Sequence, residues 1–259
     1  MSTTNVDVTR EGAVATVTVQ RPERLNALNT ATIDDLKGVF GDLARDDEVR
    51  AVVLCGAGDK AFVAGADIKE MSEMTGPEAE RYATFGQALM WQIENLGKPV
   101  IAAIGGYALG GGMELALACS VRWAGPRARL GLPETGLGLI PGFGGTQRLP
   151  RLVGRGRATE MILSGEPIKA EQALEWGLVT RVVEGDLLAE AQAFAATLAA
   201  RPGVALRAAL KAVGEGANMT PDASLRLEAA LFGVTFASED AGEGCRAFLE
   251  KRETKFRHR

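Results

Sequence analysis

Pro99 to Val121 reads PVIAAIGGYALGGGMELALACSV, a stretch whose single charged residue is Glu114. Its length and composition match a membrane span, but five glycines and the leading Pro99 argue against one continuous helix. The β-branched Val100-Ile101, the Gly110-Gly111-Gly112 cluster and the apolar residues after it instead predict a buried strand, a Gly-rich turn and a short buried helix. Glu114 then falls in the first turn of a helix that begins after Gly112. There, free backbone N–H groups and the helix dipole face an anion. Such a terminus can stabilise an oxyanion; alternatively, the glycines serve only to let the helix pack closely.

A parallel setting follows downstream. Residues 130–147 are uncharged except for Glu134 and contain six glycines. The two segments together hold 11 of the 32 glycines, so the backbone is being brought close to something. A carboxylate in apolar sequence reaches solvent, finds a distant partner, or keeps a raised pKa as an acid or base. Two of them, each beside a Gly-rich turn, point to a paired acid/base site. The third candidate is the Gly/Ala loop Ala61 to Ile68, flanked by Lys60 and Lys69 and running into a helix. It can supply a second N–H donor, or be an ordinary surface turn with solvated charges.

Around these segments, strands and helices alternate. Val14 to Val19 alternates apolar residues with Thr16 and Thr18 and predicts a half-buried strand ending at Arg21-Pro22. A second strand is predicted over Arg50 to Cys55. Between them Ile33, Leu36, Phe40 and Leu43 recur at helical spacing after Asn29, an N-cap. Tyr82, Phe85, Leu89, Ile93 and Leu96 repeat the period up to a stop at Gly97 and Pro99. From Arg155 onward, Ala-rich segments at 186–200, 202–214 and 223–237 predict helices, with Leu178 to Val183 as the one strand signal.

Composition removes much other chemistry. The chain has 259 residues, 46% apolar and 24% charged, with formal net charge −4. That describes a globular chain with no blanket attraction to nucleic acid or anionic membranes. Its single histidine, His258, stands in a basic tail, so Ser/His or Cys/His nucleophile pairs and His-based zinc sites are excluded. Cys55, Cys119 and Cys245 are far apart and odd in number, which predicts buried free thiols rather than disulfides or a metal site. GxGxxG, GxxxxGK[ST] and GxSxG motifs are absent. The start MSTTNVDVTREG lacks the basic and apolar regions of a secretory signal, so a cytoplasmic location is expected.

The residues resemble the crotonase (enoyl-CoA hydratase/isomerase) superfamily across nearly the whole chain. The resemblance rests on Arg21-Pro22 with Leu25 to Leu28, on Ala64 to Lys69, on Gly105 to Leu115, on Pro133-Glu134 and on Gly138 to Leu149. Ala237 to Asp240, Glu243-Gly244 and Phe248 to Arg252 extend it towards the hydratase branch. It implies an α/β fold, a spiral of ββα units over 1–200 carrying a CoA-thioester site, followed by a helical C-terminal region over 201–259. That region would pack trimers, with two trimers forming a hexamer. The resemblance further implies that the Ala66 and Gly111 N–H groups form an oxyanion hole and that Glu114 and Glu134 activate one water. Adenine would lie near Ala64 to Ile68, including Asp67, with Lys60 and Lys69 near phosphates and Lys251 reaching over from an adjacent subunit. The implied activity is reversible hydration of a trans-2-enoyl-CoA to a 3-hydroxyacyl-CoA, as in fatty-acid β-oxidation. No metal is required, and no cofactor beyond the CoA of the substrate. Val63, Met113, Leu132 and Thr135 depart from the family's usual residues, placing the acyl pocket around Leu132 and Met113. The rivals are isomerisation of a 3-enoyl-CoA with one carboxylate and RNA binding through the tail Lys251 to Arg259.

Overall fold

The computed structural model describes residues 3–258; Met1, Ser2 and Arg259, parts of the start and tail discussed above, lie outside the described residues. In chain order the elements are β1 Val6–Glu11, β2 Val14–Val19, α1 Thr30–Arg45, β3 Ala51–Gly56, β4 Ala61–Val63, α2 Ile68–Met71 and α3 Gly76–Glu94. Next come β5 Val100–Ile104, β6 Tyr107–Leu109, α4 Gly111–Ala118, β7 Val121–Ala124, β8 Arg129–Gly131, α5 Gly145–Val153 and α6 Arg155–Ser164. The chain closes with β9 Ile168–Lys169, α7 Ala170–Glu175, β10 Arg181–Val182, α8 Leu187–Ala199, α9 Gly203–Gly216, α10 Pro221–Phe236 and α11 Glu239–Glu250.

The strands divide between two sheets. One has the order β1-β2-β3-β5-β7-β10 and the other β4-β6-β8-β9. Each consecutive pair, β3-β4, β5-β6 and β7-β8, places its first strand in the larger sheet and its second in the smaller one. This repetition of ββα units is the spiral that the sequence resemblance implied. Within the smaller sheet β4, β6 and β8 run parallel, so their carboxyl ends emerge side by side.

The helix signals reflect real faces. Asn29 caps α1 by accepting from the Thr32 N–H at 2.9 Å, and Ile33, Leu36, Phe40 and Leu43 are all buried. Each such side chain contributes about 1.5 to 3 kcal/mol. Gly97 takes φ +75 where α3 has ended. The strand reading of β2 needs correction: it is almost wholly buried rather than half-buried. Ala15, Val17 and Val19 enter the main core, while Val14 enters a second core beneath α8. Thr16 also meets α8, accepting a hydrogen bond from Gln192 Nε2 at 2.9 Å. The alternation therefore marks two cores rather than a wet and a dry face.

Other departures are smaller. β1 and β4 had no distinct sequence signal, and the strand expected over 178–183 is reduced to β10. α4 starts at Gly111, earlier than expected, with Gly110 at φ +50 as its cap. Of the cysteines, Cys55 and Cys119 are buried, but Cys245 is exposed.

Candidate active site

Three loops leave the carboxyl ends of β4, β6 and β8 and converge, a position where open α/β folds commonly bind ligands. The first carries Ala64-Gly65-Ala66, held by donation from Ala64 N to Leu25 O and from Leu28 N to Gly65 O. Asn26 anchors it from beneath. This buried side chain accepts from Arg21 N and donates to Ala57 O and Ala61 O, which holds Leu25 and Asn26 at positive φ. The second loop is the start of α4, and the third is the turn Pro133–Leu137 bearing Glu134. The Thr135 hydroxyl ties that turn to α6 by donating to Ile162 O at 2.9 Å.

The glycines of the second loop have separate uses. A Cβ on Gly112 would lie 1.9 Å from Val63 O, so this residue serves close packing of α4 on β4. A Cβ on Gly111 would lie 3.5 Å from the Ala66 nitrogen, which brings the backbone of the first loop close to the start of α4. Among the described residues neither the Ala66 N–H nor the Gly111 N–H has a protein acceptor. The close-packing alternative thus holds at Gly112.

Glu114 is 1% exposed. Its Oε1 accepts from Phe143 N at 2.8 Å and from Gly145 N at 2.7 Å. Burial pushes its pKa up to about 7, and the Glu134 charge adds to this against the opposing pull of the two N–H groups and Arg148. Burial also raises Glu134, whose Oε2 is buried without a partner. The two N–H bonds favour the charged form of Glu114 against its burial, and the Glu134 side chain has no such donor from another residue.

The raised pKa has a stability consequence with a definite sign. Because the folded-state pKa of Glu114 lies above its ordinary 4.5, ionisation disfavours the fold, and the penalty grows between about pH 4.5 and 7. Glu114→Gln, whose amide oxygen can accept the same two bonds, should be more stable than wild type by roughly 1 to 3 kcal/mol at pH 8. The gap should close by about pH 5. Denaturant unfolding across that range checks it.

Glu114, Glu134, Ala66 and Gly111 line one cleft of about 1120 Å³ together with Ala64, Ile68, Tyr82 and Phe143. The other sequence candidates lie elsewhere. Asp67 faces Arg21 at 3.1 Å; burial opposes its ionisation, but the guanidinium holds its carboxyl below the usual range. Lys60, Lys69 and Lys251 are exposed and do not line the cleft. Leu132 and Met113 are fully buried and also absent from its lining, which corrects the expected location of the acyl pocket. Phe143 and Gly145 escaped the sequence reading as functional residues. They act on Glu114 through backbone N–H groups, which leave no side-chain signature; only the glycine richness of 142–145 hinted at them.

The sequence profile described as Enoyl-CoA hydratase/isomerase matches residues 9–259. The chain belongs to this family. It is 46% identical over 254 residues to the Short-chain-enoyl-CoA hydratase of Clostridium acetobutylicum, covering 98% of this chain and 97% of that protein. It is 42% identical to the Crotonyl-CoA hydratase of Syntrophomonas wolfei, covering 99% of each. The crystal structure of Enoyl-CoA Hydratase from Bacillus anthracis superposes with a TM-score of 0.95 at 39% identity, covering 98% of this chain and 100% of that one. Among the described residues no helix of this family member is long and apolar enough to cross a membrane. Two of the basic side chains of its tail are engaged with acidic groups. Arg252 pairs with Glu243 and Glu250, and Arg257 with Glu239, which weakens the RNA-binding reading.

Proposed function

We propose that the chain is a short-chain enoyl-CoA hydratase acting on trans-2-enoyl-CoA, without a metal or separate cofactor. The observation that carries this is the pair of glutamates in the cleft, Glu114 buried and Glu134 partly buried, both with a raised pKa, beside two unpaired N–H groups. The Ala66 and Gly111 N–H groups take the thioester oxygen as enolate charge develops, a contribution on the order of 100 to 1,000-fold per donor. With Glu114 Oε1 held by two N–H donors, its other oxygen is available to orient and deprotonate water. That water attacks C3, and Glu134 delivers a proton to C2. Reversal returns each proton along the same route. An isomerase needs one carboxylate to move a proton between carbons; the second, partnerless Glu134 favours addition of water.

The CoA would lie along Ala64 to Ile68 with Asp67 at its edge, and Lys60 and Lys69 close to the phosphates. Lys251 would come from a neighbouring copy. Support for self-association is that α10 buries no residue in the single chain and exposes Leu225, Phe232, Val234 and Phe236, while α11 exposes Phe248 and Leu249. We assign this face to contacts between copies in a trimer or a dimer of trimers. Light scattering should give the mass of three or six chains, and Phe232→Glu should lower it. A monomeric wild type would contradict the assignment.

The activity itself is tested by following enoyl-thioester absorbance with crotonoyl-CoA. Loss of absorbance with formation of 3-hydroxybutyryl-CoA is the expected result. Unchanged absorbance at high enzyme concentration would overturn the proposal.

A further inference from the structure

We infer that the ring of Phe143 limits the acyl chain to about the length of a crotonoyl group, an inference that rests on the hydratase reading and deepens it. Two glycines make room for this ring on opposite edges. A Cβ on Gly86 of α3 would lie 2.3 Å from Cδ1 and Cε1, and a Cβ on Gly111 of α4 would lie 3.2 Å from Cδ2 and Cε2. The ring therefore bridges the gap between α3 and the residue that offers the oxyanion N–H. Tyr82 flanks it with ring centroids 5.3 Å apart and is itself fixed by donating to Leu28 O at 2.8 Å.

The backbone beneath the ring is tied as firmly. Phe143 N donates to Glu114, Phe143 O accepts from Arg148 Nη1 at 3.1 Å, and Gly142 O accepts from Gln87 Nε2 at 2.8 Å. Arg148 is in turn paired with Glu94 at 2.8 Å. Further along α3 the same cleft is also lined by Ala88 and Trp91, so the ring, set between Gly86 and Gly111, narrows a cleft that has space further on. A longer chain would have to displace the Phe143 ring, which is carried by the same residue whose backbone N–H orients Glu114. It would lose turnover as well as affinity.

Calorimetric binding of butyryl-, hexanoyl- and octanoyl-CoA to wild type, Phe143→Leu and Phe143→Ala tests this without requiring turnover. Wild-type affinity should stop rising after butyryl. In Phe143→Ala it should rise about fourfold per added methylene, the gain expected for burying each one, with Phe143→Leu between. In parallel, the ratio of 2-octenoyl- to crotonoyl-CoA kcat/KM should rise at least about tenfold in Phe143→Ala. The same chain-length profile in wild type and in a folded Phe143→Leu would overturn the inference, as would wild-type affinity that keeps rising to octanoyl. Chain-length profiles that shift as expected in an enzyme that does not hydrate crotonoyl-CoA would instead overturn the hydratase reading alone.

Discussion

Glu134→Gln lowers kcat for crotonoyl-CoA hydration by roughly 100 to 10,000-fold while KM changes little, the range expected for loss of a positioned acid/base group. The substitution is nearly isosteric. Glu134 makes no salt bridge, and its Oε2 has no partner, so Gln breaks no structural contact of that oxygen. What disappears is the carboxyl's capacity to carry a transferable proton, which burial favours by raising its pKa. The amide cannot donate it to C2 and take it back in the reverse reaction. Steady-state kinetics with crotonoyl-CoA, beside a thermal melt showing an unchanged fold, measures the effect. A variant within tenfold of wild type would remove Glu134 from the mechanism.

Gly112→Ala should be as damaging, by a different route. Its added methyl would sit 1.9 Å from Val63 O, 2.6 Å from Val63 C and 2.7 Å from Val63 Cβ. No side chain can swing aside to relieve this, because the clash is with the backbone of a strand paired to β6. α4 must move off β4, at a cost of roughly 3 kcal/mol or more, the upper end of overpacking penalties. The start of α4 carries the Gly111 N–H and, one turn on, Glu114, so activity should fall together with stability. Gly38→Ala is the contrast. That exposed glycine in α1 has open space around it, and alanine there should stabilise by about 0.5 to 1 kcal/mol through helix propensity. Denaturant unfolding of both variants separates crowding of the backbone from a general effect of alanine.

These outcomes also show how much of the molecule could be read in advance. α1 and α3 were legible because a helix writes its buried face into the sequence at a fixed period. Glu114 and Glu134 were legible because each is the lone charge in a long apolar, Gly-rich stretch, and burial is what gives both carboxyls their raised pKa. The partition of strands between two sheets was not legible from periodicity, because the partner of β4 is 46 residues away at Tyr107. Nor was the reason for Phe143, whose ring meets Gly86 across 57 residues of chain. Leu132 and Met113 drew attention as unusual residues, but unusual residues need not face the cleft, and both turn into the core.

The central claim, that two carboxylates add one water across an activated double bond, is tested most directly by mass spectrometry of crotonoyl-CoA incubated with the enzyme in ¹⁸O-labelled D₂O. The account predicts a 3-hydroxybutyryl-CoA bearing one ¹⁸O at C3 and one deuterium at C2. Deuterium exchange or double-bond migration without ¹⁸O in the product would contradict it and leave a single proton-shuttling carboxylate.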